Sequence, residues 1–211
     1  SGVTTIDGRG ALLDANNVEI GGERHSADTI LIATGGWPAL PEIPGVALAI
    51  TSNEAFDLPE LPQRIVIVGG GYIACEFAGI FNGLGVEVVQ LYRSEMILRG
   101  FDRDVREICR DEMRKTGIDV RLNENAVKLE KSAGGVTVTT SQGNVLEADQ
   151  VMFATGRTPN TAGIGLERAG VELNHKGAVN VDSGSRSNVA NIYAVGDVTD
   201  RVNLTPVAIH E

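Results

Sequence analysis

A chain of 211 residues, 42% hydrophobic and 22% charged with a mean hydropathy of +0.00, has the makeup of an ordinary globular protein of one large domain or two small ones. Its formal net charge of −10 argues against general nucleic-acid binding, since phosphates repel such a surface. No apolar run approaches the roughly 20 residues that span a bilayer, so no membrane partner is expected, and the first residues carry no secretory signal pattern.

In chain order, Val3 to His25 reads as an antiparallel meander with turns at Asp7-Gly8 and Gly21-Gly22. Ala27 to Gly35 is a short apolar strand ending in Thr34-Gly35 and running on to Pro38. Arg64 to Val68 is a second buried-strand pattern, leading directly into Gly69-Gly70-Gly71-Tyr72-Ile73-Ala74. The spacing of Ile73, Phe77, Ile80, Phe81 and Leu84 predicts a helix that stops at Gly83-Leu84-Gly85. Val86 to Arg93 follows as a strand. Asp102 to Lys115 reads as a helix with the apolar stripe Val105, Ile108, Cys109 and Met113, and Val120 to Leu122 as a third strand. This is a β-α-β-α-β order. Ala126–Lys131, Val136–Thr140 and Asn144–Glu147 then form a second meander, and Ala148 to Gly156 another apolar strand. Near the C-terminus, Asn191 to Asp197 is a strand ending in Gly-Asp, and Thr205-Pro206 reads as an N-cap and first turn of a helix. The two cysteines, Cys75 and Cys109, have no redox-pair spacing and read as buried, inert thiols, which points to a reducing compartment such as the cytoplasm. No metal site is expected.

The two apolar strands are copies. Residues 27–38 and 148–159 match at six positions with an offset of 121 (148 − 27), and each copy reads as a strand buried in a sheet covered on both faces. Two related domains are therefore expected. The glycine-rich start of the second copy lies 85 positions before Ala154 (154 − 69), whereas only 26 residues precede the first copy. The expectation is that the corresponding start lies before residue 1 and that the chain is the middle of a larger protein.

Gly69-x-Gly71-x-x-Ala74 has the form of a dinucleotide fingerprint between a buried strand and an amphipathic helix. The first glycine permits the tight turn, the second lets backbone approach a pyrophosphate, and the small third residue lets helix and strand pack closely. The pyrophosphate then meets the positive end of the helix. NAD-binding proteins commonly end the next strand in Asp or Glu, which accepts hydrogen bonds from the ribose. Here that strand ends in Tyr92-Arg93, with Arg99 six residues on (99 − 93). Two guanidinium groups grip a 2′-phosphate that a carboxylate would repel, so NADPH is expected over NADH. Glu95, acidic and close by, is the one residue against it.

Ala-Thr-Gly-Arg-Thr-Pro-Asn (154–160), Tyr-Ala-Val-Gly-Asp (193–197) and Leu-Thr-Pro-Val-Ala (204–208) occur in this order in the flavoprotein disulfide reductases, and the chain resembles that family over essentially its whole length. Residues 69–79, Tyr92-Arg93 and 97–102 look most like its glutathione reductase branch. The resemblance implies an α/β fold: a Rossmann-like NADPH-binding domain with a β-meander at residues 41–158, and incomplete parts of a second Rossmann-like FAD domain at 1–40 and 159–211. It implies that Gly69, Gly70, Gly71, Tyr72, Ile73, Ala74, Glu76, Arg93, Arg99 and Gly156 line the NADPH site, with Asn203 near the nicotinamide. Tyr72 would cover the flavin and swing aside for nicotinamide, and Glu76 would lie beside the nicotinamide. Asp197 would hold the ribitol of FAD, Thr205 would meet the flavin ring, and Arg157 would lie at the junction of the two cofactor domains. The parent enzyme would be a homodimer passing hydride from NADPH through FAD to a cysteine pair that reduces glutathione disulfide. Trypanothione and mercuric reductases are the near alternatives. A non-enzymatic NADPH-binding module is a more distant one, disfavoured by the flavin-type residues Asp197 and Thr205.

The family's C-x-x-x-x-C motif and its His-Glu pair have no match here, and His25, His175 and His210 do not replace that histidine. No catalytic residue for disulfide chemistry is therefore assigned. On this reading the 211-residue chain by itself is colourless in the flavin absorption band and does not consume NADPH with glutathione disulfide. A yellow preparation with stoichiometric flavin would overturn it.

Overall fold

The computed structural model describes residues 2–211, which form two compact units: Ser1–Trp37 with Arg157–Glu211, and Pro38–Gly156. Among the described residues no helix is long and apolar enough to cross a membrane.

In the first unit, β1 (Gly10–Asp14), β2 (Asn17–Ile20) and β3 (Glu23–Ser26) make an antiparallel sheet. The second hairpin turns at Gly21-Gly22, as expected, but the first turns at Ala15-Asn16 and not at Asp7-Gly8. The reason is local: the Asp14 carboxylate accepts the Asn16 N–H at 2.9 Å and the Asn17 amide at 2.7 Å, closing the turn. β4 (Ile30–Ile32) is followed by β5 (Gly36–Pro38).

The second unit carries α1 (Ser52–Ala55), β6 (Arg64–Val68), α2 (Tyr72–Gly83), β7 (Glu87–Tyr92), α3 (Arg103–Lys115), β8 (Asp119–Leu122), the strands β9 (Ala126–Ser132), β10 (Gly135–Thr140) and β11 (Val145–Ala148), and β12 (Gln150–Phe153). The parallel sheet runs β12-β6-β7-β8, and β9 to β11 form the antiparallel meander. Alternation within the strands decides what covers each face. Ile65, Ile67, Val88, Val120 and Met152 pack with Phe77, Phe81 and Met113 on the helical side. Val66, Val68, Leu91, Val151 and Phe153 pack with Ala126, Leu129, Val136 and Val138 of the meander on the other. The continuous hydrophobicity of β6 and β12 follows from this double cover. Asp149 fixes their register, its carboxylate accepting the backbone N–H of Gln63 and of Arg64 at 2.8 Å each.

Back in the first unit, β13 (Arg157–Pro159) pairs with β5, and β14 (Ile192–Ala194) lies parallel to β4. Leu12, Ile30, Ile32, Leu166, Ile192 and Val198 lie in its core. Within β4, Ile30 and Ile32 are buried and Leu31 is 59% exposed among the described residues. The chain ends in α4 (Thr205–His210).

The expected stripe on α3 is also corrected. Met113 is buried and Cys109 half-buried, but Val105 and Ile108 are 52% and 62% exposed. The helix turns Arg106 and Arg110 toward the preceding loop, which rotates Val105 and Ile108 outward.

The two faces of α2 give a direct check. Phe81, 3% exposed, and its neighbour Ile80, 48% exposed, should differ sharply on truncation. Phe81→Ala is expected to cost about 3–5 kcal/mol and Ile80→Ala under about 1 kcal/mol, read from urea denaturation midpoints. Equal losses would mean that the helix packs by the other face.

Candidate nucleotide-binding sites

The fingerprint loop joins the C-terminal end of β6 to α2, and its three glycines have three different reasons to be glycine. Gly69 has φ +150, and a Cβ there would lie 2.3 Å from the Ala154 carbonyl oxygen and 3.2 Å from the Ala74 Cβ. A Cβ on Gly70 would lie 2.4 Å from the Tyr92 ring. Gly71, at the N-cap of α2, has ordinary φ −83, and a Cβ would meet nothing within 4 Å. Of the three, Gly71 alone has open space before it, and no side chain caps the positive end of the helix there. Ala74 is fully buried, Ile73 half-buried, and Tyr72 and Glu76 are exposed on the first turns of α2. Gly156, exposed with φ +138 and open space at its Cβ position, ends the crossover after β12.

Behind this loop lies a support that sequence reasoning missed. Gln90, 0% exposed in the middle of β7, donates its amide N–H to the Gly69 carbonyl at 3.0 Å and approaches the Cys75 sulfur at 3.6 Å. A lone amide in the run Val88-Val89-Gln90-Leu91 was its only signal. Cys75 and Cys109 are half-buried and not fully buried as expected. Burial pushes the Cys75 thiol up to about 11 against the opposing pull of the Gln90 hydrogen bond, so it stays protonated near neutral pH.

Arg93 and Arg99 flank a loop that returns to the fingerprint. The Leu98 N–H donates to the Gly70 carbonyl, with Leu98 itself in the left-handed region at φ 56 and Ile97 fully buried. Arg93 and Arg99 are both exposed, and neither takes part in a hydrogen bond or ion pair among the described residues. Their neighbours are engaged: Arg103 pairs with Glu107 at 2.7 Å, Arg110 with Asp111 at 2.7 Å, and Arg106 binds two carbonyls. Glu95 makes no ion pair with either free arginine, and its charge acts on Arg103.

The first unit holds the other expected residues. Asp197 follows β14 in a 3-10 turn, Gly196–Thr199, with its carboxylate 3.5 Å from Arg157 Nε. Arg157 also donates to the Gly36 carbonyl, and a Cβ on Gly36 would lie 3.3 Å from the Asp197 Oδ2 and Cβ atoms. Two residues not singled out by sequence hold this turn: Glu211 accepts the Gly196 N–H at 2.7 Å and pairs with Arg201 at 2.8 Å. Asn203 is half-buried and donates to the Asp200 carboxylate at 3.1 Å. Thr205 is exposed, but Leu204 occupies the cap position of α4 and no side chain caps it. The Thr205 hydroxyl is thus not the N-cap that its sequence position suggests.

The glycine geometry separates fold from binding surface. Gly70→Ala is expected to lower the thermal midpoint by several degrees, since Tyr92 must move, whereas Gly71→Ala leaves it within about one degree. Equal shifts in differential scanning would refute the assignment of open space to Gly71.

The family model described as pyridine nucleotide-disulphide oxidoreductase matches residues 1–211. A glutathione reductase of Burkholderia cepacia is 54% identical over 209 residues, covering 99% of this chain and 46% of that protein. A trypanothione reductase of Trypanosoma congolense is 50% identical over 193 residues, covering 90% of this chain and 39% of its own length. Among solved structures, the HOCl-induced flavoprotein disulfide reductase RclA from Escherichia coli superposes with a TM-score of 0.92 at 31% identity, covering 97% of this chain and 48% of that one. The chain thus spans about half the length of the curated relatives it matches. With the match running through every element described above, the chain belongs to the pyridine nucleotide-disulphide oxidoreductase family.

Proposed function

We propose that this chain is the nucleotide-binding portion of an NADPH- and FAD-dependent disulfide reductase whose substrate is glutathione disulfide. The Pro38–Gly156 unit would hold NADPH, and Ser1–Trp37 with Arg157–Glu211 would belong to the FAD domain. The whole enzyme would be a cytoplasmic homodimer. The 54% and 47% identical glutathione reductases support this substrate over trypanothione, although trypanothione reductases are similar at 50% and 47%.

The observation that carries the reading is the pair of unengaged arginines beside an open helix N-terminus. Fit to a phosphorylated dinucleotide is good: the Gly71 position leaves room for a pyrophosphate at uncapped N–H groups, and Arg93 and Arg99 offer two forks of donors to a 2′-phosphate. Tyr72 and Glu76, exposed on the first turns of α2, would flank the nicotinamide end. In the first unit, Asp197 offers a carboxylate held by Arg157 to a polyol hydroxyl, beside a Gly36 backbone where a Cβ would sit tightly at 3.3 Å. FAD, when bound, supplies the capacity to take a hydride and pass two electrons to a disulfide. The chain's own residues bind and orient. Gln90 and Tyr92 keep the glycine loop shaped for the pyrophosphate, and Arg157 keeps the Asp197 carboxylate aimed.

The test is the cofactor preference. Each charge-assisted bond contributes roughly 1.5–3 kcal/mol, and about 1.4 kcal/mol is tenfold. Arg93→Ala or Arg99→Ala is therefore expected to weaken NADPH binding about ten- to a hundredfold in calorimetry while NADH binding hardly changes. Equal weakening of both nucleotides would make the arginines supports of the fold. No change in either would put the phosphate elsewhere.

A further inference from the structure

Arg106, on the helix that follows the two free arginines, has its guanidinium already occupied. Nε donates to the Ile97 carbonyl at 2.7 Å and Nη2 to the Met96 carbonyl at 2.9 Å. It is half-buried, and no ion pair includes it among the described residues. An arginine that spends its fork on two successive carbonyls, without a carboxylate partner, is fixing backbone. The same loop is held from its other side by the Leu98 N–H on Gly70 and at its start by the Asn123 N–H on the Ser94 carbonyl at 3.1 Å. Between these ties Ile97 is fully buried and Leu98 is forced to φ 56, a conformation that a leucine keeps only where its surroundings impose it. Arg99 is the next residue.

We propose that Arg106 is a positioning residue for 2′-phosphate discrimination: it clamps residues 96–97 so that Leu98 docks on the glycine loop and Arg99 is presented beside Arg93, without itself touching the phosphate. The inference rests on the NADPH reading above. It follows from geometry that two hydrogen bonds from one rigid, planar group fix both the position and the tilt of a peptide segment. A lysine, with a point-like ammonium on a flexible stem, cannot do this.

The experiment uses the 211-residue chain with 2′,5′-ADP and 5′-ADP as probes, together with hydrogen–deuterium exchange over residues 94–100. Arg106→Met is expected to speed exchange in this segment and to weaken 2′,5′-ADP about five- to twentyfold, with 5′-ADP unchanged within about twofold. Arg106→Lys retains the charge and should fold readily. It is expected to restore less than half of the lost discrimination, whereas a pure charge effect would restore nearly all of it. Weaker 2′,5′-ADP binding with unchanged exchange would make Arg106 a direct phosphate ligand and overturn the proposal. So would faster exchange with intact discrimination, or an equal loss for both probes. If the unsubstituted chain itself fails to prefer 2′,5′-ADP, the NADPH reading falls and this inference with it. If it does prefer 2′,5′-ADP, responds to Arg99→Ala, and is indifferent to Arg106→Met, only this inference fails.

Discussion

The second unit depends on one close approach. At the C-terminal end of β6 the Gly69 backbone passes so near the Ala154 carbonyl and the Ala74 Cβ that no side chain fits between them. That approach lets β6, β12 and the first turn of α2 meet without a spacer, so the end of the helix emerges directly over the edge of the sheet. Gln90 reinforces it from within β7 by a hydrogen bond to the Gly69 carbonyl, and the Tyr92 ring closes on Gly70. What remains uncovered is the Gly71 side of the loop. The opening at Gly71 is therefore the space that the tight packing around Gly69 and Gly70 leaves free.

The internal repeat has a physical counterpart in the crossover strands. Arg157 donates to the Gly36 carbonyl and the Thr158 hydroxyl to that of Trp37, each pair separated by 121 positions, the offset of the repeat. The same symmetry links Thr34 to the Asn160 carbonyl at 2.8 Å and Thr155 to that of Ala39 at 2.7 Å. Equivalent residues of the two copies thus pair with each other or with each other's neighbours. The Thr-Gly ending, which looks like a simple strand terminator, supplies hydroxyls to that pairing.

Charge is distributed with a purpose that the net value conceals. The chain carries −10, yet Arg93 and Arg99 stand without acidic partners while Arg103, Arg110 and Lys115 on the next helix are neutralised by Glu107, Asp111 and Glu112. On the proposed reading, a local pair of unneutralised cations on an acidic protein would discriminate phosphate through short-range, forked hydrogen bonds, because the net charge supplies no long-range attraction.

The sequence by itself determined the βαβαβ order, both meanders, the fingerprint and the basic end of β7, since each is written in local terms: glycine where backbone turns tightly, unbroken apolar strands where both faces are covered, and period-3.6 spacing on α2. It also carried the repeat, and with it the expectation of two units. Tertiary structure decided what depends on distant partners. The first turn moved to Ala15-Asn16 because Asp14 closes it. Val105 and Ile108 face outward because Arg106 and Arg110 of the same helix turn toward the loop before it, an orientation that apolar spacing cannot foresee. The roles of Gln90, Leu98 and Arg106 were invisible for the same reason. Each acts through a hydrogen bond to a backbone group 9 to 28 positions away, and backbone groups carry no signature in a sequence.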